Sequence, residues 1–211
     1  IHVYPSVTST NTVLREMAEQ GAPEGTVIIA EEQTAGKGRM GKSFYSPSKT
    51  GIYVSILLRP SISAEESLFL TTSAAVATAR AIEDVSTKSA LIKWVNDIYI
   101  GQKKVCGILT EGAFNVETNQ LDYAIVGIGI NICPPENGFP EEIQNIATTV
   151  FDKITDSINK RSLLIAHLLD YFMEYYKDFH EKRYVEEYIS RSMILGKDIN
   201  VLEGGKTIPA T

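Results

Sequence analysis

A glycine-rich, cationic stretch, residues 31–44, is the first part of the chain whose residue types could do chemistry. It has glycines at positions 36, 38 and 41, and this spacing satisfies both G-x-G-x-x-G and G-x-x-x-x-G-K-S. Backbone without Cβ atoms can wrap a phosphate with its N–H groups. From residue 33 to residue 64 there are five cations and no acid, although the net charge of the chain is -6. The stretch predicts a loop that closes over an anionic ligand; a solvent-facing loop without a ligand is the alternative.

The surroundings of this loop argue against a phosphate-binding loop of the P-loop or Rossmann type. Both types need a strand before the loop and a helix directly after it. Residues 26–30 are a β-branched apolar run, which predicts the strand. Residues 44–51 contain proline, glycine and two serines without helical periodicity, so no helix is expected there. A P-loop NTPase is therefore disfavoured.

Four polar residues interrupt segments that otherwise resemble buried strands: Lys93, Asn96, Asp97 and Lys104. Burying such groups is costly unless each has a partner. Asp97 or Asn96 could hold Mg²⁺, which prefers oxygen ligands, and the two lysines could neutralise a carboxylate or a phosphate. The alternative is a solvated bend between edge strands.

Glycines within predicted strands form a third group. Gly127 and Gly129 alternate with isoleucine before Asn131, and Gly107 lies on the preceding strand. Glycine weakens a strand and often marks the close approach of a ligand or of another backbone. A β-bulge or tight packing against a helix is the alternative.

Composition limits the classes of function. With 44% hydrophobic and 22% charged residues, the 211-residue chain is an ordinary soluble globular protein. Its acidic pI disfavours nucleic-acid binding, and no apolar run approaches the ~20 residues of a membrane span. The two cysteines are too few for a disulfide framework and fit a reducing cytoplasm. The sequence contains neither a G-x-S-x-G nor an H-E-x-x-H pattern, so mechanisms with a covalent intermediate or a catalytic zinc have little support. The chain neither begins with methionine nor ends at a turn, so segments beyond both ends are expected.

The predicted elements give an α/β (α+β) fold with a mixed, largely antiparallel sheet packed against helices. A helix from about residue 10 to 20 follows a cluster of possible N-caps at 9–11, whose hydroxyls could instead bind a ligand. A buried strand is predicted at 51–59, a helix at 63–84 and an antiparallel meander at 90–131. Amphipathic periodicity predicts helices at 161–182 and 185–191, and a hairpin with a Gly204-Gly205 turn begins near 197. Two domains are expected, 1–191 and an incomplete β module at 192–211.

Together these segments resemble the signatures of biotin protein ligases. Residues 36–42 are similar to the family's G-R-G-R-x-G-R, 93–97 to K-W-P-N-D, and 127–131 to G-x-G-x-N. Residues 9–11 match S-T-N, and 104–109 match K-x-x-G-I-L, all in the family's order and spacing. The resemblance implies an α/β catalytic domain followed by a small SH3-like β domain. It implies that ATP and Mg²⁺ activate biotin as biotinyl-5′-AMP, which then modifies a lysine of a biotin carboxyl carrier domain, and that the protein is a possible homodimer.

The resemblance also implies roles for individual residues. Lys104 and Arg39 would be catalytic, and Asp97 would be a magnesium ligand. The biotin contacts would be Ser9, Thr10, Gln33, Gly36, Arg39, Lys104, Gly107, Leu109, Gly127 and Gly129. The nucleotide contacts would be Lys37, Arg39, Met40, Lys42, Phe44, Trp94, Asn96 and Asn131.

The chain departs from the family pattern at four of these signature positions. Lys37 and Lys42 replace arginines and lose the bidentate fork there, Phe44 replaces a tryptophan, and Val95 replaces a proline, which would loosen the bend. Lipoate ligation, which has the same fold and reaction type, is the nearest alternative. A biotin-responsive transcriptional regulator would need a DNA-binding segment that these residues do not contain.

Overall fold

A seven-stranded sheet organises the computed structural model, which describes residues 1–63, 65–115, 117, 120–203 and 206–210. Its strands are β1 (His2–Tyr4), β2 (Val27–Ala30), β3 (Gly51–Leu58), β4 (Leu91–Lys93), β5 (Asp97–Ile100), β6 (Lys103–Asn115) and β7 (Gln120–Asn131). The spatial order is β1-β2-β3-β7-β6-β5-β4, and only the β1–β2 pair is parallel. The predicted mixed, largely antiparallel sheet is confirmed.

The helices cover the two faces of this sheet unequally. They are α1 (Thr10–Glu19), α2 (Leu68–Val85), α3 (Lys160–Lys177) and α4 (Val185–Ser190). On one face α1 packs Leu14 and Ala18 against Ile28, Leu57 and Ile125. The larger core lies on the other face, where α2 packs against the sheet and α3 packs against α2. Both faces of β3 are therefore buried, as its apolar sequence predicts.

Two helix boundaries differ from the expectation. The helix expected to begin at residue 63 begins only at Leu68, although Ser63 and Glu66 form a capping box with reciprocal hydrogen bonds. The helix α3 ends at Lys177 rather than near residue 182. A 3₁₀ turn (Phe179–Glu181) follows and still buries Phe179, which is why the apolar period extends beyond the α-helix itself.

The C-terminal residues form the expected hairpin. Strands β8 (Ile199–Glu203) and β9 (Lys206–Ala210) pair in an antiparallel manner, while the predicted Gly204-Gly205 turn lies outside the described residues. Just before the hairpin, Ser192 still pairs with Ile92 at the edge of the main sheet. No helix within the described ranges is long and apolar enough to cross a membrane.

Candidate active site

The glycine-rich loop leaves β2 and folds back on itself beside the sheet. The backbone N–H of Phe44 donates to the carbonyl of Gly36 at 2.9 Å, and that of Gly38 donates to Lys42 at 2.7 Å. A 3₁₀ turn (Arg39–Gly41) forms the tip, and the described residues from 42 to 67 include no helix. The prediction that this is not a P-loop is confirmed.

A narrow cavity, which we call the site cavity, lies between this loop, the start of α1 and the strands β6 and β7. Its volume is about 40 Å³. Its walls contain nine of the ten residues predicted to contact biotin: Ser9, Thr10, Gln33, Arg39, Lys104, Gly107, Leu109, Gly127 and Gly129. The tenth, Gly36, does not line this cavity. Asn11, Phe44 and Asn96 also line it. The fold thus brings together residues from five separate segments.

One end of the site cavity is cationic. The Nζ atom of Lys104 lies 2.7 Å from Oδ1 of Asp97, and Nη1 of Arg39 donates to Oδ1 of Asn96 at 3.0 Å. Oδ1 of Asp97 is buried, and its close contact among the described residues is this ion pair with Lys104. An ammonium group carries three hydrogens, so Lys104 can still donate to an anionic ligand while it is paired with Asp97.

The other end is polar but uncharged. The backbone N–H of Thr10 donates to Oε1 of Gln33 at 2.9 Å, and Nε2 of Gln33 donates to Oγ of Ser46 at 3.0 Å. Ser9 is the N-cap residue of α1, yet its side chain makes no capping hydrogen bond. The Ser9 hydroxyl therefore does not cap the helix, and the Thr10 hydroxyl is hydrogen-bonded to Gln33 and Ser55.

The two glycines of β7 make room for side chains of this protein. A Cβ atom at Gly127 would lie 2.1 Å from Oδ1 of Asn11, and one at Gly129 would lie 2.6 Å from the Phe44 ring. The predicted close approach is real, but an amide and an aromatic ring occupy the space. Phe44, predicted as a nucleotide contact, lies among the residues assigned to biotin.

Several predicted nucleotide contacts lie elsewhere. Met40 and Lys42 line a larger cavity of about 760 Å³ beside Leu68 and Phe114, although Lys37 and Arg39 face both cavities. Trp94 packs edge-on against Tyr188 and lines an apolar cavity of about 450 Å³. Nδ2 of Asn131 donates to the carbonyl of Thr148 at 3.1 Å, outside the walls of the site cavity. The structure does not bring these residues to one place.

The bend at Trp94-Val95-Asn96 is held by its surroundings. The Trp94–Val95 peptide bond is cis, Val95 is buried, and its carbonyl accepts a hydrogen bond from Tyr188 at 3.2 Å. Nδ2 of Asn96 donates to the carbonyl of Ile108 at 2.9 Å. These contacts fix the bend at the position where the family pattern has a proline.

Sequence reasoning missed Ser55 and Glu111. Ser55 is fully buried on β3, and its Oγ lies 2.7 Å from Oγ1 of Thr10 and 2.6 Å from Oδ1 of Asn11. Glu111 accepts a hydrogen bond from Nδ2 of Asn11 at 2.8 Å. A lone hydroxyl in an otherwise apolar strand was the available signal, since a buried polar group needs a partner.

A cysteine mechanism is not supported. Cys106 neighbours Gly107 but is fully buried, and this burial raises the pKa of its thiol far above the ordinary range. Burial also raises the pKa of Cys133. Both therefore remain neutral thiols, which are poor nucleophiles.

The base of the loop gives a testable prediction. A Cβ atom at Gly36 would lie 2.4 Å from the carbonyl oxygen of Phe44 and 2.6 Å from Oγ of Ser46. We expect Gly36→Ala to force the two strands of the loop apart and to lower the free energy of unfolding by about 1–3 kcal/mol. Urea denaturation measures this change. Gly38→Ala is the matched control because its nearest contact is 3.2 Å; equal losses for the two variants would contradict the steric argument.

Comparison with known protein families agrees with this geometry. Residues 3–131 match the model of the biotin/lipoate A/B protein ligase family. The chain belongs to this family. The bifunctional ligase/repressor BirA of Bacillus subtilis is 39% identical over 178 residues, which cover 84% of this chain and 51% of that protein. The biotin–[acetyl-CoA-carboxylase] ligase of Mycobacterium tuberculosis is 27% identical over 95% of this chain and 74% of its own length.

Solved structures of the same family support the fold assignment. The biotin protein ligase from Aquifex aeolicus in complex with biotin and ATP superimposes with a TM-score of 0.77 at 30% identity. The match covers 98% of this chain and 84% of that one. The chain spans about half the length of the BirA relatives from Bacillus that it matches.

Proposed function

We propose that this chain is the catalytic part of an ATP-dependent ligase that activates biotin as biotinyl-5′-AMP and transfers it to a lysine of a carrier domain. The observation that carries the proposal is the polarity of the site cavity. Its uncharged end (Ser9, Thr10, Gln33) suits the ureido ring of biotin, and its cationic end (Lys104, Arg39) suits a carboxylate next to a phosphate. Family members with biotin or with biotin and ATP bound support the same assignment.

In the first step a biotin carboxylate oxygen bonds to the α-phosphorus of ATP, and the bond from that phosphorus to the β-phosphate oxygen breaks. Pyrophosphate leaves, and no protein nucleophile is required. Two anions must approach each other, so the reaction needs charge neutralisation and alignment. Lys104, paired with Asp97, and Arg39, hydrogen-bonded to Asn96, would supply both.

In the second step the amine of the carrier lysine attacks the acyl carbon of the mixed anhydride. AMP leaves with the bonding electrons, and the amine loses a proton to give the amide. The name of the Mycobacterium tuberculosis relative, an acetyl-CoA-carboxylase ligase, supports a carboxylase carrier domain as the partner. The mixed anhydride reacts with water, so a closed loop would protect it.

Ligand access requires the loop to move. A volume of about 40 Å³ accommodates a few water molecules but not biotin. The Phe44 ring fills the space above Gly129 and approaches Gly107, where a Cβ would lie 3.2 Å from it. We propose that Phe44 swings away with the loop as biotin binds and then covers its aliphatic tail.

Asp97 as a magnesium ligand remains a prediction with little support from the geometry. Its carboxylate is paired with Lys104, and the described residues contain no group of three or more His, Cys, Asp or Glu side chains that could hold a metal ion. In nucleotide-binding proteins Mg²⁺ is commonly held by only one or two protein carboxylates, together with the phosphates of the substrate. The steps above therefore depend only on the chain's own lysine and arginine.

The domain division also belongs to this proposal. Residues 1–191 would form the catalytic unit, and the β8–β9 hairpin would begin the SH3-like module of 192–211. Pairing of Ser192 with Ile92 indicates that the segment just past this boundary still rests on the catalytic sheet. A homodimer and a cytoplasmic location remain predictions; the free, buried cysteines are compatible with a reducing compartment.

The proposal is tested by incubating the protein with ATP, Mg²⁺ and biotin, and by measuring biotinyl-AMP and transfer to a carrier-domain lysine. A parallel incubation with lipoate addresses the alternative substrate. We expect adenylate formation with biotin and little with lipoate. Adenylation of lipoate in preference to biotin, or of neither acid, would contradict the proposal.

A further inference from the structure

We infer that Tyr188 is a positioning residue: from α4 it holds the bend at residues 94–96, so that Asn96 stays within reach of Arg39 on the glycine-rich loop. The inference rests on the proposed function and adds to it a residue that controls how long the activated intermediate is retained. Tyr188 lies beyond residues 3–131, the part of the chain that matches the family model. A series of contacts connects α4 with the loop through this bend.

The bend is the turn between β4 and β5, next to the pair that Lys93 forms with Asp97. Its middle residue, Val95, is buried, and a buried carbonyl needs a hydrogen-bond partner. The hydroxyl of Tyr188 donates to this carbonyl at 3.2 Å. Because valine does not restrict φ as proline does, contacts with neighbouring elements must hold this turn.

The side chain of Tyr188 is itself firmly placed. It is buried, and its ring meets Trp94 edge-on with the two centroids 6.2 Å apart. Burial raises the pKa of Tyr188 to about 12, so the hydroxyl keeps the hydrogen that it donates. Tyr188 lines the apolar cavity beside Trp94 and not the site cavity, so it acts on a ligand only through the bend.

Arg191 fastens the end of α4 to the elements around it. Its guanidinium donates to Glu187 of the same helix at 2.8 Å and to Glu83 of α2 at 2.9 Å. Its backbone carbonyl accepts a hydrogen bond at 2.8 Å from the N–H of Ile92, on the strand that leads into the bend. The helix α4 is therefore joined to both α2 and β4, and it gives Tyr188 a fixed support.

Asn96 transmits the position of the bend to the loop. Its backbone carbonyl accepts from the N–H of Ile108, and its Nδ2 donates to the carbonyl of Ile108, both at 2.9 Å. Its other side-chain atom, Oδ1, accepts from Nη1 of Arg39 at 3.0 Å. The carbonyl carbon of Val95 is bonded to the nitrogen of Asn96, so a shift of this carbonyl also moves Oδ1. Hydrogen bonds weaken steeply as their angle departs from linear, so without the Tyr188 hydroxyl the loop would be held less firmly.

The test removes only the hydroxyl of Tyr188. Tyr188→Phe keeps the ring against Trp94 and leaves the carbonyl of Val95 without its donor. Tyr184→Phe is the matched control, because Tyr184 is also buried, at the start of the same helix, but its hydroxyl contacts Thr72 on α2 at 3.5 Å. The lifetime of protein-bound biotinyl-AMP is measured by rapid separation of bound from free intermediate, and thermal unfolding is recorded for each variant.

We expect Tyr188→Phe to shorten retention of biotinyl-AMP about 5-fold, the effect of losing one hydrogen bond between uncharged groups. Tyr184→Phe should retain the intermediate as the wild type does. In an Arg39→Ala background, Tyr188→Phe should shorten retention no further, because the contact through which it acts is already absent. A purely structural role would instead shorten retention by the same factor in both backgrounds.

Arg191→Lys covers the case in which Tyr188→Phe does not fold. Lysine keeps the positive charge but loses the forked contact with Glu83 and Glu187 that fastens α4. We expect this variant also to shorten retention, and the effect should again disappear in the Arg39→Ala background.

Three results would overturn the inference. They are normal retention by a folded Tyr188→Phe protein, an equal loss with and without Arg39, and a loss in Tyr184→Phe as large as that in Tyr188→Phe. The first would mean that the bonds between Asn96 and Ile108 are sufficient to hold the bend. If the wild type forms no biotinyl-AMP, the proposed function fails and the inference with it, and that result is seen without any variant.

Discussion

Lys104→Ala is expected to reduce formation of biotinyl-AMP by about 100-fold or more, the usual effect of removing one group that stabilises developing charge. Lys104 is the cation that lines the site cavity from β6, and its Nζ lies 2.7 Å from Asp97. Without it the biotin carboxylate and the α-phosphate would repel each other with only Arg39 to neutralise them. Biotin-dependent exchange of pyrophosphate into ATP measures the step directly.

Lys103→Ala is the matched control for this variant. Lys103 is adjacent and exposed, and its Nζ donates to the carbonyl of Gln144 at 3.2 Å, away from the site cavity. Its removal should leave exchange close to that of the wild type. Lys104→Ala also leaves Asp97 without its cation, so thermal unfolding should be recorded for both variants. Near-normal exchange in a folded Lys104→Ala protein would exclude Lys104 from the chemistry.

Arg39→Gly is expected to give a protein that still forms biotinyl-AMP but releases it early. The 3.0 Å bond from Nη1 of Arg39 to Oδ1 of Asn96 joins the loop to the bend at residues 94–96. A hydrogen bond from a charged group contributes about 1.5–3 kcal/mol, so its loss should shorten retention of the intermediate by about 10- to 100-fold. Rapid separation of protein-bound from free biotinyl-AMP measures the lifetime.

Two further variants distinguish the effect of losing the Arg39 guanidinium from the effect of the backbone flexibility that a glycine introduces. Arg39→Ala should release the intermediate as fast as Arg39→Gly if the lost side chain is the cause. Lys49→Gly removes an exposed cation five residues beyond the loop, at a φ of 67°, a conformation that glycine adopts without strain. It should retain the intermediate normally. Retention by Arg39→Gly equal to that of the wild type would refute a gating role for the loop.

The order of elements followed from local sequence patterns. Apolar runs, capping residues and turns predicted the antiparallel meander, the buried β3 and the stripe of α3, because helical and strand periods reflect which face is buried. The same patterns showed that the glycine-rich loop lacks a following helix. The extent of α3 was less predictable, since Phe179 remains buried after the helix has given way to a 3₁₀ turn.

Which side chains occupy the space above the strand glycines was decided by the tertiary structure. Glycines at 127 and 129 indicated close approach, but the sequence could not show that Asn11 and Phe44 occupy those positions. Such contacts join residues about a hundred positions apart and depend on how α1 and the loop dock on the sheet. Trp94 and Asn131, expected at the nucleotide, likewise make contacts that no local pattern encodes.

The residue types themselves limited the chemistry available to this protein: a glycine-rich, cationic loop with Arg39, a lysine at 104 and hydroxyls at 9–10. Those properties depend on composition and spacing, which the sequence contains in full. Only the tertiary structure decided which side chains are hydrogen-bonded to each other. The contacts from Glu111 through Asn11 and Ser55 to Thr10 depend on atoms from three separate elements meeting within hydrogen-bond distance. Distance and direction between remote residues are properties of the packed fold, and they set what the site cavity can recognise.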